Sequence, residues 1–328
     1  MAVAFNLPAD LGIDEGGGED RRTTARRKQR DTGVSAILAL MGPSVIAAST
    51  TQFNVLVNSM FASTLGDGPI FWLAIAFRLM QLPLGLFGVA LGTVTLPLLS
   101  RLAVAGDMPA FRGELSRAMR LAFLLTVPSA IGLMMLAEPI ISVLYQHGRF
   151  DAHQTAESAG ALRFYAIGLC GYAALKVLVN AFYALDRRKT PMLVSFLAVA
   201  LNLLFNWIFT FRLGWGHRGL AFSTGCVASF NFLLLYALMR HALHGLESIR
   251  LLETLIKVSL AGAAMAGVCA WAMHGWLADW VSAPLGAKTL KLLITITAAG
   301  LVFLGAGVAL RIAELEALLR QVMERLRR

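Results

Sequence analysis

Long apolar segments recur along the whole chain and are separated by short polar joints. Each segment approaches or exceeds the roughly 20 residues that an α-helix needs to cross about 30 Å of hydrocarbon. The joints carry turn and stop signals, such as LGDGP at 65–69 and DRRKTP at 186–191. We predict eight membrane spans, at about 34–65, 69–100, 118–145, 159–185, 191–212, 219–240, 252–275 and 288–310. The pattern therefore predicts an all-α, polytopic membrane protein.

Composition supports this interpretation and excludes a soluble domain. Of the 328 residues, 57% are hydrophobic and 15% are charged, whereas about a quarter of the residues of a soluble protein are charged. Cys170, Cys226 and Cys269 lie singly in three different spans. Because they have neither disulfide nor metal-ligand spacing, we interpret them as small packing residues.

The distribution of basic residues predicts the orientation. If the N-terminus is cytoplasmic, 20 arginines and lysines lie on the cytoplasmic side and five on the outer side, which favours both termini inside. The basic segments then lie beside an anionic leaflet, which explains the net charge of +10 without nucleic acid. We therefore expect membrane phospholipids, and not nucleic acid, as partners. Residues 1–33 form a polar, basic leader without the apolar core of a signal peptide.

The second span carries a regular polar and small-residue pattern. Six residues recur at steps of three and four: Arg78, Gln81, Gly85, Gly88, Gly92 and Thr95. On a regular α-helix they share one face. Glycines alone are typical of helix packing, and Arg78 alone could snorkel to the outer interface. We favour a polar cavity, because the polar face continues below the arginine, and Pro83 predicts a kink there.

Polar stripes recur in four further spans. They comprise Ser44, Thr51, Asn54 and Asn58; Tyr165, Tyr172, Lys176, Asn180 and Tyr183; Ser195, Asn202, Asn206 and Thr210; and Thr224 with Asn231. Any one stripe is typical of hydrogen bonding between helices, but five together predict a shared hydrophilic interior. Cations inside a bilayer without an evident acidic partner predict an anionic substrate, and a phosphate or diphosphate fits the forked donors of Arg78. The candidate substrate-binding residues are Arg78, Gln81, Lys176, Asn54 and Asn180.

Enzyme signatures are weak. The six histidines lie in loops or at span ends, and the chain has no HExxH, no GxSxG and no paired carboxylates within a span. The chain is thus predicted to be a transporter without catalytic residues or a cofactor. A polyprenyl-phosphate transferase is the alternative from another class, although its acidic candidates form no cluster: Asp151, Glu157, Asp186 and Glu247.

Four stretches resemble a known family. They are MGPSVIAASTTQFNVLVNSMFAS (41–63), AFRLMQLPLGLFGVALGTVTLPLLS (76–100), YQHGRFDAHQT (145–155) and LKVLVNAFYALDRRKTP (175–191). They resemble the C-terminal portion of the lipid II flippases, the MurJ/MviN type of the multidrug/oligosaccharidyl-lipid/polysaccharide exporter superfamily. The resemblance extends over about residues 34–310. It implies movement of lipid II or a related polyprenyl-diphosphate lipid across the bacterial inner membrane, by alternating access, for peptidoglycan synthesis.

The resemblance also implies an organisation and roles for particular residues. Residues 34–243 would form the second lobe of six helices, 244–310 two additional transmembrane helices, and 311–328 a basic cytoplasmic tail. Arg78 matches the arginine of the central cavity, where the diphosphate and sugar head group are expected, and Lys176 matches a basic position.

Some family members bind sodium at positions that match Asn58, Asn202, Asn206 and Thr224, with a carbonyl near Leu220. Two of those positions are carboxylates where sodium is seen, whereas this chain has Asn58 and Asn206 there. Because neutral amides hold a cation weakly, we expect a degenerate site. Coupling to the membrane potential or to a monovalent ion stays open.

The family's first lobe has no counterpart in the sequence, so we expect half of a transporter. It would be a gene fragment, the product of a misplaced start codon, or a subunit that needs a missing N-terminal lobe, because rocking needs two lobes. An exporter of another polyprenyl-linked glycan and a drug/cation antiporter are the alternatives. We further expect 107–120 to be an amphipathic surface helix capped by Asp107, or a solvated connector.

Overall fold

The computed structural model describes residues 52–148, 150–277 and 284–326. These residues belong to one compact unit, Ala47–Arg328. The basic leader and most of the first predicted span, including Ser44 and Thr51, lie outside the described residues. Every regular element in the described ranges is helical, so the all-α prediction is confirmed.

The bounds of the helices follow the apolar pattern closely. They are α1, described over 52–63; α2, Pro69–Pro83; a π-helical segment, Leu84–Val89; α3, Ala90–Val104; α4, Met108–Met135; α5, Ala137–Tyr145; α6, Ala152–Ala184; α7, Lys189–Trp207; a second π-helical segment, Ile208–Arg212; α8, Gly216–Ala242; α9, Ser248–His274; α10, Leu285–Ala309; and α11, Ala313–Leu326.

Seven stretches of the described chain are long and apolar enough to cross a membrane. They are Pro69–Val104, Met108–Met135, Ala152–Ala184, Lys189–Arg212, Gly216–Ala242, Ser248–His274 and Leu285–Ala309. Each coincides with one of the last seven predicted spans. With α1 in the first predicted span, the architecture is that of a polytopic membrane protein of about eight helices, as predicted.

The third predicted span differs from the structure at both ends. Its helix α4 begins at Met108, and a separate helix, α5, starts after Leu136. Pro139 in the first turn of α5 has no backbone N–H with which to continue the α4 hydrogen-bond ladder. The helix expected from Asp107 onward is present, but it continues without a break as the first part of α4, so the interpretations as a surface helix and as a solvated connector are wrong.

The cap and the apolar face predicted for this segment are nevertheless present. The Asp107 side chain accepts a hydrogen bond from Ala110 N at 3.0 Å, and Phe111, Leu115 and Met119 are fully buried. Arg120, at the end of this segment, is only 13% exposed. It forms ion pairs with Glu247, at 3.1 Å, and with Glu314 of α11. Arg120 thus links α4 both to the joint before α9 and to the C-terminal helix α11.

Helix α6 lies at the centre of the packing, in contact with α2, α3, α4, α5 and α8. Its contact with α8 is the most extensive and passes through glycines. A β-carbon on Gly168 would lie 2.5 Å from the α-carbon of Gly225, so the two backbones touch. Helix α9 makes its extensive contacts with α4 and α10, so α9 and α10 lie at the periphery of the described residues.

Candidate substrate-binding site

Four cations were counted on neither side of the membrane: Arg78, Arg163, Lys176 and Lys257. The structure divides them into two pairs. Arg163 is 3.6 Å from a carboxylate oxygen of Glu138, and Lys257 is 2.7 Å from Glu253. Arg78 and Lys176 form no hydrogen bond or ion pair with any residue that the structure describes. The two cations without a partner are those that the sequence proposed for substrate binding.

Arg78 is placed by the packing of α2 on α6. Leu79 and Met80, which follow it, are buried at 4% and 1% exposure, and Phe77 packs edge-on against Tyr165 of α6 with ring centroids 5.6 Å apart. Arg78 itself is exposed, as is Gln81 one turn later. Because the apolar neighbours hold the helix against α6, the guanidinium extends away from the packed face, about 13 Å along the helix from Pro69.

The π-helical segment changes the predicted face of the second span. The step from α-helix to π-helix begins after Pro83, the residue predicted to perturb the backbone hydrogen bonds. A π-helix has more residues per turn, so the regular spacing is interrupted there. Arg78, Gln81 and Gly85 are exposed, whereas Gly88 and Thr95 are buried. The single stripe predicted from the sequence is therefore two stripes with different surroundings.

The second stripe includes Gly88 and Gly92, which contact Lys176 and Asn180 of α6. A β-carbon on Gly88 would come within 3.3 Å of Lys176 Cδ and 3.8 Å of its Nζ. One turn further along both helices, Asn180 Nδ2 donates a hydrogen bond to the Gly92 carbonyl at 3.2 Å. The glycines thus form a packing seam, as the simpler interpretation proposed, and the seam positions the Lys176 ammonium.

Asn54, the fifth candidate, lies on α1. It is half-buried, and its side-chain oxygen is buried without a hydrogen-bond partner among the described residues. The structure thus brings Lys176 and Asn180 to one seam, leaves Arg78 and Gln81 on the exposed part of α2, and orients an unsatisfied acceptor on α1. A substrate role for these five residues stays a prediction.

The residues at the family's sodium positions form one hydrogen-bonded network that joins α1, α7 and α8. Asn206 Nδ2 donates to Asn58 Oδ1 at 2.7 Å and to Asn202 Oδ1 at 3.1 Å. Asn58 Nδ2 donates to Thr224 Oγ1 at 3.0 Å, and Thr224 Oγ1 donates to the Leu220 carbonyl at 2.8 Å. Asn202, Asn206 and Thr224 are buried. The four residues at these positions are thus in mutual contact.

This network does not fit a bound sodium ion. Each side-chain oxygen that would coordinate a cation accepts a hydrogen bond from a neighbouring group, so a cation would compete with that donor. Asn206 Oδ1 accepts one from Ser223 Oγ. None of these side chains is a carboxylate, so nothing compensates the charge of a cation in the bilayer.

Sequence reasoning missed one group at the site, Ser223, which is fully buried and donates a hydrogen bond to Asn206 Oδ1. Tyr172, named in the polar stripe of its span, donates its OH to the Thr224 carbonyl at 3.5 Å. Ser223 could have been found from its position beside Thr224. It was overlooked because only one polar stripe was assigned to each span. Glu138 as the partner of Arg163 was missed as well, because it lies on α5, a helix that the sequence did not separate from α4.

Comparison with known structures first defines the class. The fold matches a multidrug resistance MATE family transporter of the MOP superfamily in an outward-facing conformation, with a TM-score of 0.57 and 17% identity over 86% of this chain and 66% of that one. A lipid II flippase MurJ in an inward closed conformation gives a TM-score of 0.65 and 25% identity over 84% of this chain and 54% of that one. The fold is that of a multi-pass membrane transporter.

The family follows from the sequence comparison. The family model described as Lipid II flippase MurJ matches residues 15–289, and the chain belongs to that family. The lipid II flippase MurJ of Burkholderia cenocepacia is 36% identical over 77% of this chain and 48% of its own length. A probable lipid II flippase MurJ of Vibrio cholerae is 34% identical over 80% and 50%. The chain thus spans about half the length of these curated relatives. The family and the seven apolar helices indicate a multi-pass protein of the bacterial inner membrane.

Proposed function

We propose that this chain supplies the second lobe of a lipid II flippase, which moves the lipid-linked peptidoglycan precursor across the inner membrane by alternating access. The family membership supports the substrate class. The observation that carries the proposal is the unpaired guanidinium of Arg78 within a membrane-spanning helix. A permanent charge at that depth is costly unless an anion approaches it, and the diphosphate of a polyprenyl-linked sugar supplies such an anion.

Arg78 and Lys176 would share the recognition of the head group. The planar guanidinium donates two parallel hydrogen bonds to phosphate oxygens, while the ammonium acts as a point charge. The exposed Gln81 adds an amide donor beside Arg78, and Asn54 presents an unsatisfied oxygen that accepts a hydroxyl or amide proton from the sugar. The polyprenyl tail stays in the lipid throughout, so no apolar surface of the tail has to enter water.

Closure on both sides of the membrane needs a second lobe, which we propose to be the N-terminal lobe of the family. We also propose that both termini are cytoplasmic, since the basic residues concentrate on that side. The energy source would be the membrane potential. With a negative interior, each negative charge that moves outward gains about 2.3 kcal/mol per 100 mV, and the amide network does not fit sodium coupling.

The antiporter alternative is less well supported. Such exchange needs a buried carboxylate free to bind a proton or cation. In the described helices, Glu138 is paired with Arg163, Glu157 with Arg218, and Glu314 with Arg120. No observation favours the transferase.

The test is flipping of fluorescent lipid II in vesicles that contain this chain together with the N-terminal half of the Burkholderia cenocepacia relative. Arg78→Gln should abolish flipping, while Arg163→Gln, which also removes one membrane-embedded cation, should retain most of it. Equal amounts of inserted protein are verified by immunoblotting. Wild-type flipping by Arg78→Gln would refute the role of the arginine, and a wild-type assembly without activity would refute the proposed function.

A further inference from the structure

An open surface cavity of about 500 Å³ lies where α8 ends. Its walls come from the last two turns of the helix and the turn that follows: Tyr236, Ala237, Arg240, His241, His244 and Gly245. Three of the six side chains carry a positive charge or a ring N–H donor, and none of the six is acidic. The cavity therefore offers donors for an anion at the end of a membrane-spanning helix.

The basic side chains are free to bind an external group. Arg240 and His244 form no side-chain hydrogen bond or ion pair with any described residue, and both are exposed. The acidic residue of the following joint, Glu247, is already engaged by Arg120 at 3.1 Å and by Arg250 at 3.2 Å. The charge of Arg240 is thus left uncompensated within the described protein.

The backbone that forms the cavity is fixed by hydrogen bonds, so the cavity does not result from a frayed end of α8. Gly245 N donates to the Arg240 carbonyl at 2.9 Å, and His244 N donates to the His241 carbonyl at 3.2 Å. His244 and Gly245 both have positive φ, at 54° and 124°, which is the conformation that stops a helix and reverses the chain. Tyr236 OH donates to Ser248 Oγ at 2.7 Å and ties the start of α9 to α8.

The cavity is far from the candidate substrate residues. Trp72, in the first turn of α2, packs on His217 in the first turn of α8, with ring centroids 5.0 Å apart. From His217 to Tyr236, α8 rises about 28 Å, roughly the thickness of the hydrocarbon core. Arg78 lies between these levels and nearer to the Trp72 end, so the cavity and Arg78 occupy different depths.

We propose that this cavity binds the phosphate of an anionic phospholipid at the membrane surface. A basic cavity beside the end of a transmembrane helix is at the level of the lipid phosphates, and its guanidinium and ring nitrogens match phosphate oxygens. The exposed Phe230 and Leu233 of α8, one to two turns before Tyr236, would contact the acyl chains. The site does not depend on the flippase function, because its ligand is a constituent of the membrane itself.

The test uses native mass spectrometry of the full chain in detergent, titrated with phosphatidylglycerol. We expect wild-type protein to retain phosphatidylglycerol and to bind phosphatidylcholine at least tenfold more weakly. Arg240→Gln combined with His244→Gln should weaken phosphatidylglycerol binding by about tenfold, the typical effect of losing a charged phosphate contact. Arg101→Gln is the matched control: an exposed arginine at the end of α3, outside the cavity, whose loss should change binding less than twofold.

Three results would overturn the proposal: unchanged phosphatidylglycerol binding in the double variant, an equal loss in Arg101→Gln, or equal binding of phosphatidylcholine. Displacement of phosphatidylglycerol by millimolar inorganic phosphate would identify free phosphate as the ligand and would overturn the lipid assignment. If the double variant does not fold by circular dichroism, Arg240→Gln is compared with Arg240→Lys. The lysine variant should then bind more tightly than the glutamine variant, and equal affinities would contradict the site.

Discussion

The Lys176 side chain lies against the backbone of Gly88, where a β-carbon would come within 3.3 Å of the lysine Cδ. The absence of a side chain at position 88 therefore determines where the ammonium lies. Gly92 has the same relationship to Asn180, one turn further along. The pairing links a small-residue pattern, which the sequence displays openly, to the position of a cation that the sequence alone leaves undetermined.

Gly88→Ala should therefore displace Lys176 and impair flipping while the protein still inserts. The β-carbon requires Lys176 Cδ to move by a few tenths of an ångström. Because a misplacement of about 1 Å can reduce activity by about a hundredfold, we expect a loss of roughly threefold to tenfold in the two-lobed assembly. Gly85→Ala is the matched control, because no atom lies within 4 Å of its β-carbon position. Equal activity of the two variants would contradict a positioning role for Gly88.

The crossing of α6 and α8 predicts a stability effect. Gly168→Ala places a methyl group 2.5 Å from the Gly225 α-carbon, and a backbone atom cannot rotate out of the way. Overpacking of this kind should cost about 1–3 kcal/mol of unfolding free energy, measured by denaturation in mixed micelles. Gly267→Ala on α9 has open space around its β-carbon and should leave stability within about 1 kcal/mol. If Gly168→Ala left the free energy of unfolding unchanged, α6 and α8 would have to be able to separate at this crossing.

The amide network should contribute to stability without sodium. Asn206→Ala leaves Asn58 Oδ1 and Asn202 Oδ1 without their donor, and orphaned buried polar groups cost about 1–3 kcal/mol each. We expect a loss of about 2–4 kcal/mol on that basis, measured by the same denaturation assay. Asn231→Ala, whose side-chain oxygen has no partner, serves as the control and should cost less.

The same network predicts the response to ions. Replacement of Na⁺ by K⁺ or choline at constant ionic strength should leave the melting temperature of the wild-type chain unchanged, since its oxygens are occupied by N–H and O–H donors. A rise of several degrees that is specific to Na⁺ would mean that the amides rearrange around the ion, and the assignment of the network as a cation-independent contact would be wrong.

Arg120 should hold the C-terminal helix. Arg120→Ala removes ion pairs with Glu247 and Glu314 and leaves Glu314, 8% exposed, without its partner. Removing one partner of a buried ion pair typically costs about 3–5 kcal/mol. We expect this loss to release α11 from α4, which limited proteolysis would detect as faster cleavage within α11. Arg117→Ala removes an exposed pair with Glu114 at 3.8 Å and should cost less than about 1 kcal/mol. Equal cleavage rates of the two variants would contradict this role.

Much of the fold could be predicted from the sequence because membrane spans are encoded by length and apolarity. The last seven predicted spans coincide with helices, since an apolar segment of about 20 residues satisfies its backbone only as a helix in lipid. The break at Leu136 was missed because α4 and α5 together read as one apolar run, and only the local effect of Pro139 separates them.

The candidate site was predictable to a smaller extent. Arg78, Lys176 and the asparagines are conspicuous as polar residues in apolar segments, so their importance could be inferred one helix at a time. Whether Arg78 or Arg163 has a partner depends on neighbouring helices, and only the contact with Glu138 of α5 distinguishes Arg163 from Arg78. Lys257 differs, because its partner Glu253 lies one turn earlier on the same helix, at a spacing that the sequence itself displays.

The sequence by itself determined that this chain is a polytopic helical membrane protein and which polar residues lie within its spans, because hydrophobicity and helical period are local properties. Only the tertiary structure decided which of those residues share contacts. The π-helical segment after Pro83 separates Arg78 from the glycine seam, the seam positions Lys176, and three asparagines occupy one another's hydrogen bonds where a cation would need free oxygens. These relationships depend on distances between helices, which no single segment encodes.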